Sequence, residues 1–303
     1  MREKPKAMVF ASLAADSLAL GVHWIYNTNV IDKKFGRVET YLKPVRPTYH
    51  PTKALGEFTH YGDQTMILLD SVSTCAGFDL DDFSQRWQSL FENYNGYFDN
   101  ATKDTLENIK SGKSPSEAGS DSDDLAGASR IAPLLYVYRE NPEKLIASTA
   151  AQTAFTHNNL HVIQSAKFIA TVTHHVLTGI SPVSAIERVK REEFNSAPFS
   201  EWVEVGLQSV EKDTRQAILD FGQMCETAAA FPGVIHLIAK YENDLKQALV
   251  ENVMAGGDSA GRGLSVGMVL GAHLGMDAIP QKWLTDMKAY RRIADLLSGI
   301  DRV

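Results

Sequence analysis

Apolar side chains recur along most of the chain at intervals of three and four residues, the spacing that gathers them on one face of a helix. Val162, Ala166, Ile169, Thr173 and Val176 form one such series, and Ile186 and Val189 carry the period onward. Strand-like alternation is scarce, so the pattern predicts an all-α fold. Helices are expected over 5–24, 63–77, 80–94, 102–111, 124–139, 143–154, 159–178, 183–191, 200–210, 214–221, 224–241, 244–255, 260–275 and 281–298. Ser114-Pro115, Asn141-Pro142 and Ser181-Pro182 mark breaks, because proline drives the preceding residue out of helical angles and Ser or Asn caps the turn that follows. Neither a repeat nor a linker-like composition divides the chain, and one domain over residues 1–303 is expected. Residues 27–62 are the exception. Pro44, Pro47 and Pro51 interrupt any period in a segment rich in Tyr, His and Thr, which reads as a long functional loop or as disorder.

Composition narrows the function classes. Of the 303 residues 44% are hydrophobic and 22% charged, enough apolar material for a large core. Thirty Lys and Arg against 37 Asp and Glu give a net charge of −7, which leaves no broad cationic surface for nucleic-acid phosphates. Nucleic acid is therefore not an expected partner. The uncharged run 168–186 is long enough to span a bilayer but carries His174, His175, Gly179 and Pro182, so no membrane partner is expected either. Residues 1–15 imitate an export signal, yet Glu3 sits among their basic residues and Asp16 ends the apolar run. Cys75 and Cys225 have no paired spacing, so neither a disulfide framework nor a thiolate zinc site is expected, and the expected compartment is the cytoplasm.

Four clusters carry candidate chemistry. Gly256-Gly257-Asp258-Ser259-Ala260-Gly261-Arg262-Gly263 runs into an apolar helix, where unpaired N–H groups and Arg262 would make an anion cradle. A plain glycine turn capped by Asp258 is the alternative. Beyond it Gly263, Gly267, Gly271 and Gly275 form a small-residue stripe that lets a neighbouring helix come close. The GLSVG stretch formally matches a nucleophile elbow at Ser265, but no strand precedes it. The second cluster, His60-Tyr61-Gly62-Asp63-Gln64-Thr65, lies at a loop-to-helix junction, where Asp63 either faces a cleft or caps the helix. The third is Thr156-His157. The fourth is the acidic run Asp121 to Asp124 leading to Gly127-Ala128-Ser129-Arg130, and an acidic run of this kind is more often a solvated helix start than a cation site.

In their order and spacing these clusters resemble the ADP-ribosylglycohydrolase superfamily, which includes protein-ADP-ribose hydrolases and jellyfish lens crystallins. AADSLALGVHW resembles the opening G-D-A-x-G pattern, and YGDQT occupies the place of T-D-D-T. GASRIAPL resembles G-x-A-M-R-x-x-P, FTHNN the T-H motif, GGDSAGRGLSVGMVLGAHLG the GGD-T-D-T helix, and IPQKW the closing I-P-x-x-W. The resemblance spans about residues 7–290 and implies a compact helical fold.

In that family two Mg²⁺ ions are held by T-D-D-T, by D-T-D-T and often by an early glutamate. Here Gly62 and Gln64 leave only Asp63 of the first set, Ala260 and Gly261 leave only Asp258 of the last, and His23 stands where the glutamate would. Two carboxylates would hold magnesium weakly, so Mg²⁺ is a doubtful cofactor and Asp63 and Asp258 make a weak site or none. The resemblance implies a hydrolase of an ADP-ribosyl or related glycosidic bond, acting on an ADP-ribose-like small molecule or conjugate. Asp63 and Asp258 would be the catalytic carboxylates, with Asp16, Arg130, His157, Gly256, Gly257, Ser259 and Arg262 lining the ligand site. Arg262 would lie between Asp63 and Asp258 in place of the missing metal charge. The alternative is a non-catalytic nucleotide binder or a crystallin-like structural protein. The sequence leaves the oligomeric state open.

Overall fold

A computed structural model of the chain describes residues 3–302; Met1, Arg2 and Val303 lie outside the described residues. In chain order the helices are α1 (Glu3–Ala19), α2 (Thr28–Phe35), α3 (His60–Cys75), α4 (Leu80–Glu92), α5 (Asn100–Lys110), α6 (Ala126–Ser129), α7 (Ala132–Val137), α8 (Pro142–Thr156) and α9 (Leu160–Leu177). They continue as α10 (Pro182–Glu192), α11 (Phe199–Gln208), α12 (Thr214–Phe221), α13 (Thr227–Lys240), α14 (Leu245–Met254), α15 (Ser259–Leu274), α16 (Gln281–Asp286) and α17 (Tyr290–Ile300). Among the described residues no strand forms. Extended backbone meets only in two isolated bridges, Ser120 with His157 and Asp124 with Glu226. The fold is all-α, as the apolar period predicts, and none of these helices is long and apolar enough to cross a membrane.

The centre of the fold is the pair α1 and α15, buried along nearly their whole lengths. The glycine stripe makes the contact possible. A Cβ on Gly267 would lie 2.4 Å from the Ala11 carbonyl oxygen, and one on Gly271 would lie 2.6 Å from that of Ala7. The hydroxyl of Ser12 adds a hydrogen bond to Leu264 O at 2.8 Å. Around this pair the buried side chains of the other helices join one continuous core. Gly267→Ala should therefore lower stability by about 1–2 kcal/mol in urea unfolding. A helix-propensity gain of about 1 kcal/mol is outweighed by overpacking against backbone that has no rotamer to give. An increase in stability would mean that the two helices stand further apart than this.

Four expected elements are cut differently, each for a local reason. The helix expected over 5–24 ends at Ala19, and the chain turns through Trp24, whose φ of 64° lies in the left-handed region. The expected helix 124–139 breaks into α6 and α7 at Arg130 and Ile131, since Pro133 in the first turn of α7 has no N–H to continue the ladder. The helix expected over 224–241 begins at Thr227, because the residues before it pair with the 123–125 backbone. The helix expected over 281–298 breaks at Met287, where Lys288 N–H bonds to Gly56 O at 3.0 Å. The expected loop 27–62 holds α2, capped by Asn27 at one end and Gly36 at the other, is irregular from there to Thr59, and gives its last three residues to α3.

Candidate functional site

The sequence clusters meet at the N-terminal end of α15. Asp258 is its N-cap, and Asp258 Oδ1 accepts the Gly261 N–H at 3.1 Å. Asp258 in turn donates its own N–H to Gln223 O at 2.9 Å, which draws residues 222–226 against the helix start. The same segment is bonded to 123–125. Leu125 N–H reaches Cys225 O at 2.9 Å, Thr227 N–H reaches Asp123 O at 2.8 Å, and the Thr227 hydroxyl reaches that oxygen at 2.6 Å. Backbone pairing thus sets Asp124, Cys225 and Asp258 side by side, with one ligand-capable atom of each within 4.8 Å of the others. Asp124 is held by the Ala126 N–H at 2.8 Å and the Tyr61 hydroxyl at 3.3 Å. Burial and the neighbouring Asp258 push the Asp124 carboxyl well above its usual range, and burial raises Asp258 too. The Cys225 thiol is pushed up by burial and by both carboxylates.

A second wall is made of rings. His23 packs 4.3 Å from Trp24, 5.5 Å from His50 and 5.7 Å from Tyr61, and His50 lies 5.6 Å from His60. Trp24, Tyr49 and Tyr97 then meet edge to face at centroid distances of 4.9, 5.0 and 5.4 Å. Trp24 is fixed in its left-handed conformation by its N–H to Gly257 O at 2.9 Å. All three imidazoles are buried, and burial, then neighbouring positive groups, lowers His23 well below its ordinary value and His50 to about 3. His23 Nδ1 stands 3.7 Å from Asp258 Oδ1, which ties the ring wall to the carboxylate cluster.

The expected ligand residues divide. Asp258 lies at the centre of the site, and Ser259 beside it is fully buried with its hydroxyl unpartnered. Asp63 does not meet Asp258. It turns into a separate cavity of about 420 Å³, paired with Lys53 and accepting the Tyr94 hydroxyl at 2.5 Å. Arg262 does not bridge the two carboxylates either. It is 1% exposed and donates to Asn252 Oδ1 at 3.2 Å, Gly256 O at 2.5 Å and Gln223 O at 3.4 Å. Asp16 is fully buried and binds Thr59 through its N–H at 2.7 Å and its hydroxyl at 2.6 Å, fixing the cap of α3. Arg130 is 2% exposed and donates through its two terminal nitrogens to Gln64 and Thr156, while His157 is 2% exposed with Nδ1 2.8 Å from Thr156 Oγ1. The Asp16 and Arg130 bonds tie helices together, whereas the His157 bond is to its own chain neighbour.

The anion cradle is filled by the protein itself. A Cβ on Gly257 would lie 2.1 Å from Gln223 O and one on Gly256 2.5 Å from Ile25 O, so these glycines admit backbone rather than a diphosphate. The first N–H groups of α15 are also taken: Ser259 by Gly257 O at 2.9 Å, Ala260 by His23 Nδ1 at 3.4 Å, and Gly261 by Asp258.

A pair of Mg²⁺ ions demands near-octahedral oxygen donors. Gly62 supplies none, and a side chain there has no room, since its Cβ would lie 2.5 Å from Asp16 Oδ2. The carbonyl oxygen of Gln64 is occupied by Trp87 Nε1 at 2.8 Å and by Arg130. Ala260 and Gly261 offer no side-chain oxygen, and the donor set that remains around Asp258 includes a thiol, a poor magnesium ligand. These residues do not fit a binuclear magnesium site. Cys225, His50 and Tyr97 escape sequence reasoning altogether, and Asp124 reads there as part of a solvated run. The one signal of substitution is His23 at the glutamate position.

Comparison with known proteins places the chain among relatives. Crystallin J1A of Tripedalia cystophora is 24% identical over 94% of this chain and 92% of its own length. The ADP-ribosyl-[dinitrogen reductase] glycohydrolase of Rhodospirillum rubrum is 26% identical over 55% of this chain and 52% of its own. A solved ADP-ribosylglycohydrolase-related protein complex shares the fold with a TM-score of 0.78 at 20% identity, covering 99% of this chain and 98% of that one. The ADP-ribosylglycohydrolase family pattern matches residues 1–302, and the chain belongs to that family.

Proposed function

We propose that the protein hydrolyses the glycosidic bond of an ADP-ribosyl or closely related pentosyl conjugate at the cluster where the Asp124–Asp258 pair meets the histidine wall. The observation that carries this reading is a concentration of buried polar atoms without partners: Asp258 Oδ2, His23 Nε2, both ring nitrogens of His50, His60 Nδ1 and Ser259 Oγ. An unmet buried polar atom costs about 1–3 kcal/mol, so a group of them argues for a polar ligand that completes their hydrogen bonds. A neutral imidazole donates from one nitrogen and accepts at the other, which suits the hydroxyls of a pentose. In this reading the two carboxyl groups face C1″ and the attacking water, where they exchange protons with the water and the departing group.

The second reading, a crystallin-like structural protein, is favoured by one observation: the first-turn N–H groups of α15 are already spent inside the chain. Titration with ADP-ribose and turnover of an ADP-ribosylated peptide separate the two. Binding is expected, with hydrolysis that falls about a hundredfold or more in Asp258→Asn. Absence of both binding and turnover would favour the structural reading.

A further inference from the structure

We infer that Asp124, Cys225 and Asp258 hold a single divalent cation of the zinc class, on a donor set that keeps Asp258 of the family's magnesium ligands and joins it to Asp124 and Cys225. This deepens the reading above, since the cation would stand where the two carboxylates face the pentose and its attacking water. The cysteines lack the paired spacing that sequence reasoning requires of a thiolate zinc site, but the structure supplies through backbone pairing what spacing does not. The ligand-capable atoms lie within 4.8 Å of one another, against roughly 3.4 Å for the edges of a tetrahedral zinc site, a difference that small χ rotations close.

A second observation points to a ligand at this place. Asp258 is 1% exposed, its Oδ1 is used by the Gly261 N–H, and its Oδ2 has no partner at all. That oxygen is the one the residue has left to offer the cluster. The outer contacts suit a metal centre, because Tyr61 and the Ala126 N–H orient Asp124, and His23 stands 3.7 Å from the far oxygen of Asp258. Sulfur with two carboxylate oxygens selects borderline cations such as Zn²⁺ or Co²⁺ over Mg²⁺. On binding, the Cys225 thiol gives up its proton to solvent, and the thiolate takes the metal bond.

The test uses full-length protein stripped with a chelator and titrated with Co²⁺ in a Cys75→Ser background, so that Cys225 is the only thiol. The expected result is saturation at one cation per chain with a near-ultraviolet sulfur-to-cobalt charge-transfer band. Cys225→Ser should remove the band, and Asp258→Asn should weaken binding about tenfold or more. No saturable binding, binding without the band, or a band that survives Cys225→Ser overturns the proposal. In the unmutated chain, Zn²⁺ should slow alkylation of Cys225 while leaving exposed Cys75 unaffected. Equal labelling of Cys225 with and without Zn²⁺ overturns it as well. A parallel ADP-ribose titration keeps the two readings apart: an intact cobalt band without nucleotide binding retires the glycohydrolase reading alone, and nucleotide binding without the band retires the cation alone.

Discussion

Arg262→Met should destabilise the protein by about 3–5 kcal/mol, read as a fall in the urea midpoint at an unchanged slope. The guanidinium is 1% exposed and joins three segments: Asn252 of α14, Gly256 before α15, and Gln223 of the 222–226 segment. Burial pushes its pKa down to about 10, opposed by the nearby Asp258, so it stays charged at neutral pH. Methionine fills a similar volume but takes the Arg262 donors from Gly256 O and Asn252 Oδ1, and leaves Asp258 without its neighbouring positive charge. The outcome discriminates between two roles. An arginine that binds a diphosphate would lose ligand affinity on substitution and keep its stability; the tie described here loses stability first.

The second large effect concerns acid. Burial, with the charge of Arg130, lowers His157 to about 3, and burial, with Lys240, lowers His236 to about 4. Both imidazoles are enclosed, His236 between the hydroxyls of Ser209 at 2.7 Å and Thr214 at 3.1 Å. A histidine whose folded pKa lies below its unfolded value of about 6.5 binds fewer protons folded than unfolded. Its contribution is therefore complete above pH 6.5 and is lost as pH falls towards the folded value. Between pH 7 and 5 each group should cost roughly 2 kcal/mol. Raised carboxyls such as Asp16, held near 6 by burial, act in the opposite sense, so the test must be differential. The stability gap between the wild type and a His157→Gln/His236→Gln variant should shift by roughly 4 kcal/mol in favour of the variant from pH 7 to pH 5. Parallel pH profiles would mean that these rings titrate normally.

The helices were legible because a 3.6-residue apolar period survives in one sequence, and α9 and α15 lie close to where that period places them. The misplaced boundaries were set by partners remote in sequence. Gln223 and Asp123 stop α13 from extending backwards, and Gly56 breaks the helix at Met287. The candidate site divides along the same line. Asp258 could be found because its place before a glycine-rich helix start is a local pattern. Asp124 and Cys225 could not, because their neighbourhood is made by a bridge between segments on either side of seven intervening helices. The glycines at 256 and 257 read correctly as positions of close approach, but only the structure says that the approaching group is the protein's own backbone.

The contact of α1 with α15 has a consequence for biosynthesis. Ser12 and Leu264, joined by a hydrogen bond at the heart of that contact, are 252 positions apart in the chain. At about 5–20 residues per second, a ribosome takes on the order of 10–50 s to make the second helix after the first. Throughout that interval the Ala-rich, apolar α1 has no glycine-lined groove to enter. Until residues 259–274 have been made, α3 and α7 can pack against α1, but the face that α15 covers stays open.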